Sequence, residues 1–198
     1  IESLALSGPV ELAADISGTL NDPQIRGVAR ATDARFESYQ TGTVVTGVRA
    51  VGRFDGSRLQ LRNISGNTPG GGTVTGAGDF DLAAARGFAL DLRLNADNAL
   101  LVQRDDLVAR VTGPVRIASD GAGGTVSGRL TLNRGSFRLG RATEAEALPV
   151  INVVEVNAPA DRPVPRAAAA PWRLDLQVRG RNGFIVTGLG LESEWSTD

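Results

Sequence analysis

From Phe88 to Asn95 every second residue is large and apolar. Phe88, Leu90, Leu92 and Leu94 fall on one parity; Ala89, Asp91, Arg93 and Asn95 fall on the other. Successive side chains of a pleated strand point to opposite sides, so a period of two writes a strand with one greasy and one wet face. Val10, Leu12 and Ile16 repeat the pattern against Glu11, Asp15 and Ser17. Ile25 opens a strand over Gln24 to Thr32, and Val44, Val48 and Phe54 mark another from Thr43 to Phe54. After "DGS" comes Arg58 to Ile64, then Thr73 to Leu82 with Val74, Phe80 and Leu82 on one side. Val115 and Ile117 belong to Val108–Ala118. Val126, Leu130, Leu132, Phe137 and Leu139 share the apolar side of Gly124–Leu139. Trp172, Leu174, Leu176 and Val178 oppose Arg173, Asp175, Gln177 and Arg179, and Phe184 and Val186 begin the last strand.

Turn residues separate these runs about every 8 to 12 residues, the spacing of an all-β protein. Only "ATEAEALP" at 142–149 and the alanine run at 167–170 are compatible with helix. The alanines sit in "NAPADRPVPRAAAAP", whose prolines favour an extended linker. The expected organisation is a β-repeat segment at 1–141, a Pro/Ala-rich insertion or linker at 142–171, and strands of the same domain resuming at 172–198.

Composition removes whole classes of function. The 198 residues are 41% hydrophobic, which is globular rather than disordered. Twenty-one basic residues against 22 acidic ones, interspersed, leave a net charge of −1 and no basic stripe for a nucleic acid. Without cysteine there is no disulfide, thiolate nucleophile or zinc-cysteine site. Without histidine the usual general base and commonest transition-metal ligand are gone. Asp79 and Asp81 share the polar parity of a strand, so these residues and Asp105 and Asp106 read as solvated rather than catalytic or calcium-binding. The expectation is a protein that is not an enzyme and holds no cofactor or metal. No methionine stands at position 1, which suggests a segment of a longer polypeptide.

Parts of the chain are written twice. "SGPVELA" at 7–13 matches "TGPVRIA" at 112–118, and "IRGVARATDARF" at 25–36 matches "VSGRLTLNRGSF" at 126–137. Repeated strand pairs suit an architecture that grows by adding one unit to the next.

Four stretches carry a family resemblance: "DISGTLNDPQIRGVARATDARF", "FDGSRLQLRNISGNTPGGGTVTGAGDFDL", "VTGPVRIASDGAGGTVSGRLTLNRGSFRLG" and "WRLDLQVRGRNGFIVTGLGLESEW". Their turn-plus-strand units, in this order, resemble the C-terminal part of the TamB family of AsmA-like envelope proteins. The resemblance implies an elongated sheet curled into a β-taco, an open U-shaped trough with an apolar concave face. It also implies a periplasmic segment of a protein anchored in the inner membrane of a Gram-negative bacterium. Implied partners are phospholipid acyl chains and an outer-membrane barrel of the TamA/BamA type, in lipid transport and outer-membrane protein assembly.

The residues themselves allow more than one outcome. A one-sided apolar sheet buries its face against itself, a second sheet or a ligand, so a β-sandwich or closed barrel is the alternative fold. About fourteen strands would span on the order of 65 Å, a width at which sheets curl or split. The aliphatic lining suits acyl chains better than sugars or bases, since aromatics are only 5%. The alternative function is a chaperone or docking module that engages a barrel partner by strand addition.

Overall fold

In the computed structural model, residues 4–83, 87–139, 172–180 and 183–195 are described, and they form one sheet. The strands are β1 Leu4–Ser7, β2 Val10–Gly18, β3 Pro23–Ser38 and β4 Thr43–Gly56. Next come β5 Arg58–Thr68, β6 Gly72–Asp81, β7 Leu90–Gln103 and β8 Leu107–Ser119. Last are β9 Gly124–Arg138, β10 Trp172–Gly180, β11 Phe184–Gly188 and β12 Leu191–Trp195. The 142–171 insertion lies outside the described residues.

From β3 to β9 each strand pairs antiparallel with the next, because short polar turns separate runs of similar length. At one margin β1 and β2 lie end to end along β3. At the other, β10 and β11 lie end to end along β9, both parallel to it, and β12 pairs with β11. Twelve strands therefore make a sheet nine strands across at the end that holds β2 and β10 and ten across at the end that holds β1, β11 and β12, about 38 to 43 Å at ordinary spacing. That is narrower than the sequence suggested. The sheet is open and curled, and its two margins do not join into a barrel.

The two sequence repeats are the hairpins β2–β3 and β8–β9. Each closes on a four-residue turn, between Gly18 and Pro23 and between Ser119 and Gly124. Val10 faces Ala31, yet its counterpart Val115 faces Gly128 rather than Leu132. The slip is even, so it moves the register without exchanging faces.

Bulges interrupt the ladder in five of the six successive pairs from β3 to β9, all except β6–β7. Gly47, Asn63 and Asn98 take left-handed backbones at these breaks, with φ of 60°, 53° and 46°. An extra residue bends its strand. Bends recurring across the sheet crease it along a line that crosses the strands, so the turns become the two lips of a trough. The crease also explains why β7 runs to Gln103 rather than ending near Asn95: alternation changes phase at Asn98 while pairing continues.

At one lip the β5–β6 hairpin stops short and its flanking strands close over its tip. The Gln103 amide donates to the Thr41 carbonyl at 2.8 Å, and the Thr43 hydroxyl to the Leu101 carbonyl. Thr68 Oγ1 accepts from the Leu100 amide at 3.0 Å. The sheet is thus a fan, wide at one lip and gathered at the other.

Candidate functional site: an apolar trough

Register carries the apolar parity across the whole sheet. Leu12, Ala29, Gly52, Leu61, Gly78, Leu92, Ile117, Val126 and Leu174 are each paired with the next, one from every strand of the width. A second row runs Ala14, Gly27, Phe54, Leu59, Phe80, Leu90, Ser119, Gly124 and Trp172. Further rows hold Ile64, Leu94, Val115 and Leu176, then Val74, Ala96, Leu130 and Val178. Among the described residues no Asp, Glu or Arg occupies a paired position on this inner face. The polar side chains there are hydroxyls, as at Ser38, Thr43 and Ser119 at strand ends and Ser193 within β12.

The inner face is shielded in its middle and bare at its margins. Ala96, Ala99, Val111 and Leu130 form a small buried cluster, with Val74, Leu101, Val115 and Leu132 against it. Towards the margins Leu12 is 60% exposed and Leu174 75%, and Val10, Ile16, Trp172 and Val178 are exposed as well. No large side chain among the described residues is fully buried. A sandwich would cover such a face with a second sheet; among the described residues there is one sheet and no second layer.

Small residues let the curl close without clashes. A methyl added at Gly52 would lie 2.8 Å from Leu59 Cδ1 and 3.2 Å from Leu61 Cδ2, both leaning over it from the neighbouring strand. One at Gly135 would meet the Phe184 ring at 2.7 Å. Gly124 lies under the Trp172 indole in the same way.

Most residues singled out from sequence lie at inner-face positions: Val10, Leu12, Ile16, Ile25, Val48, Phe54, Val74, Phe80, Leu90, Leu92 and Leu94. So do Val115, Ile117, Val126, Leu130, Leu132, Phe137, Trp172, Leu174, Leu176, Val178, Phe184 and Val186. Val44 is a correction. The bulge at Gly47 shifts the phase of β4, so Val44 pairs with Glu37 on the outer face and Val45 takes the inner place opposite Phe36. Phe88 is another: it stands in a turn, two residues before β7 begins. Leu82 and Leu139 lie just past the ends of β6 and β9. Leu59, Leu61, Ile64, Phe36 and Val111 are inner-face residues absent from the sequence expectation. Leu59 and Leu61 alternate with Arg58, Gln60 and Arg62, a signal present in the sequence itself.

The outer face carries the charge. Asp15, Arg26, Asp55, Arg58 and Asp81 follow one another in register with alternating sign. Arg93 and Arg116 face each other across β7–β8, and Asp91 relieves the repulsion. Its Oδ1 accepts from Arg116 Nε at 2.8 Å and its Oδ2 from Arg116 Nη2 at 3.0 Å and Arg93 Nη2 at 3.3 Å. The Arg116 hydrogen bond holds the Asp91 carboxyl below the usual carboxylate range. Asp106 is held low chiefly by the hydrogen bond from Arg104, and Asp120 by the amides of Ala122 and Gly123. Asp79 is exposed. Among the described residues no group of acidic side chains is arranged to hold a metal.

Among the described residues, an open, curled all-β sheet with one uncharged face defines a trough-shaped protein. Residues 62–198 match the family model described as the TamB C-terminal domain. The chain belongs to the TamB family, which forms a translocation and assembly module of the Gram-negative envelope. No curated protein and no solved structure matches the chain.

Proposed function

We propose that the trough binds phospholipid by its acyl chains and offers them a path across the periplasm between inner and outer membranes. The proposal includes a role in outer-membrane protein assembly as part of an inner-membrane-anchored parent. The observation that carries it is the unbroken register of apolar residues from Leu12 to Leu174, with no charge among them and no second layer over them among the described residues. Each methylene removed from water contributes about 0.8 kcal/mol, so about a dozen suffice to hold a chain in a dry groove. A face without charged groups leaves the headgroup to water and does not discriminate among headgroups.

The test is native mass spectrometry and organic extraction of the purified protein beside a Leu12→Asp/Leu174→Asp variant. Both sites are exposed, so the carboxylates stay hydrated and the fold survives. Phospholipid copurifying with the wild type and lost from the variant supports the reading. Equal loads in both, or none in either, sink it. Thr131→Asp, at an exposed outer position, serves as the neutral control.

A second reading is docking of an outer-membrane barrel of the TamA/BamA type by strand addition. Its supporting observation is that the outer edges of β2 and β10 have no partner strand among the described residues. Disulfide trapping from cysteines placed along β10 separates this reading: trapping of a barrel strand in register supports it, and random or absent trapping counts against it.

A further inference from the structure

Two bulky apolar residues hold backbone conformations that normally belong to glycine or asparagine. Phe88 has φ of 60° and Leu189 φ of 53°, each beside a glycine that is also left-handed, Gly87 at 66° and Gly190 at 80°. Two successive positive φ values favour Asn-Gly or Gly-Gly, because a side chain beyond Cβ crowds the backbone there. Neither residue is repaid by burial. Phe88 is 58% exposed and Leu189 84%.

The two sites are separate and lie at opposite lips. Phe88 precedes β7 at the wide lip, where Gly87 abuts Gly121 of the β8–β9 turn. Leu189 joins β11 to β12 at the opposite lip. Each therefore stands where the apolar floor gives way to water. Strain kept at an exposed position points to a use for the side chain outside the folded chain.

We infer that Phe88 and Leu189 are lip contacts for bound lipid, extending the apolar wall to the upper acyl segment of a phospholipid seated in the trough. The inference rests on the acyl-chain reading above. It adds that the lips, and not only the floor, set how firmly a lipid is held.

Phe88→Asn and Leu189→Asn test it, because asparagine tolerates the left-handed backbone while removing the apolar contact. Each purified variant is incubated with vesicles of phosphatidylethanolamine and phosphatidylglycerol, re-isolated and assayed for lipid phosphate per protein, and its thermal midpoint is measured. The expected result is a midpoint equal to or above wild type with lipid retention lowered at least about twofold. Wild-type retention in both variants overturns the inference while leaving the trough intact. Lower midpoints in both overturn it too, by showing that the residues serve the fold. If the wild type takes up no lipid, the acyl-chain reading fails, and the lip contacts fail with it.

Discussion

Leu130 and Leu174 show what one residue does in a one-layer sheet. Leu130 is 8% exposed, and Leu130→Ala should cost about 3 kcal/mol in urea unfolding through lost burial and an incompletely closed cavity. Leu174→Ala, at a site 75% exposed, should cost less than about 0.5 kcal/mol by the same measurement. Equal losses would mean that the margin is covered and the trough closed. The carboxylates make a second prediction. Asp91, Asp106 and Asp120 have folded pKa values below their unfolded ones, so their stabilisation is present above about pH 4 and lost as pH falls through the lower folded values. With no histidine, the thermal midpoint should be flat between about pH 5.5 and 8 and drop only in acid. A step near pH 6.5 would contradict this.

The bulge is the element that turns alternating strands into a trough. At Asn98 the break is locked from several sides. The Asn98 amide donates to Thr112 Oγ1 at 2.9 Å, and Asn133 Nδ2 donates to Thr112 Oγ1 at 2.8 Å and to Asn98 Oδ1 at 3.2 Å. Arg110 reaches the Asn98 carbonyl at 3.1 Å and the Pro69 carbonyl at 2.6 Å, tying the β5–β6 tip to β8. Asn98→Val should cost about 2 kcal/mol, since a branched side chain resists the left-handed backbone, whereas Asn98→Gly should cost less than half of that. Chemical denaturation of the two variants distinguishes backbone strain from loss of the amide. Equal losses would assign the cost to the hydrogen bond.

At this scale legibility divides cleanly. Strands whose phase runs unbroken, such as Leu90 to Leu94 or Trp172 to Val178, declare their inner face in the sequence. Val44 does not, because one left-handed glycine between it and Val48 exchanges its face, and no local pattern marks that break. Phe88 misleads in the opposite sense: it keeps the parity of β7 but stands in the preceding turn. The parallel placement of β10 beside β9 was hidden as well, since pairing direction depends on distant chain and not on alternation.

The whole molecule follows from one asymmetry, charge on one face and none on the other, with too little chain in the described sheet to cover the apolar side. One layer also implies graded protection. Amides of β7 and β8, paired on both sides, should exchange at least about tenfold more slowly than those of β2 and β10 in hydrogen exchange. Uniform protection would indicate a second layer over the sheet. The central claim, that the inner face receives acyl chains, is tested most directly by a photoreactive residue at Leu92 and, separately, at its neighbour Arg93. Each protein is mixed with vesicles carrying radiolabelled phosphatidylethanolamine and irradiated. Label on the Leu92 probe and little on the Arg93 probe is the predicted result; equal label at both, or label only at Arg93, would contradict it.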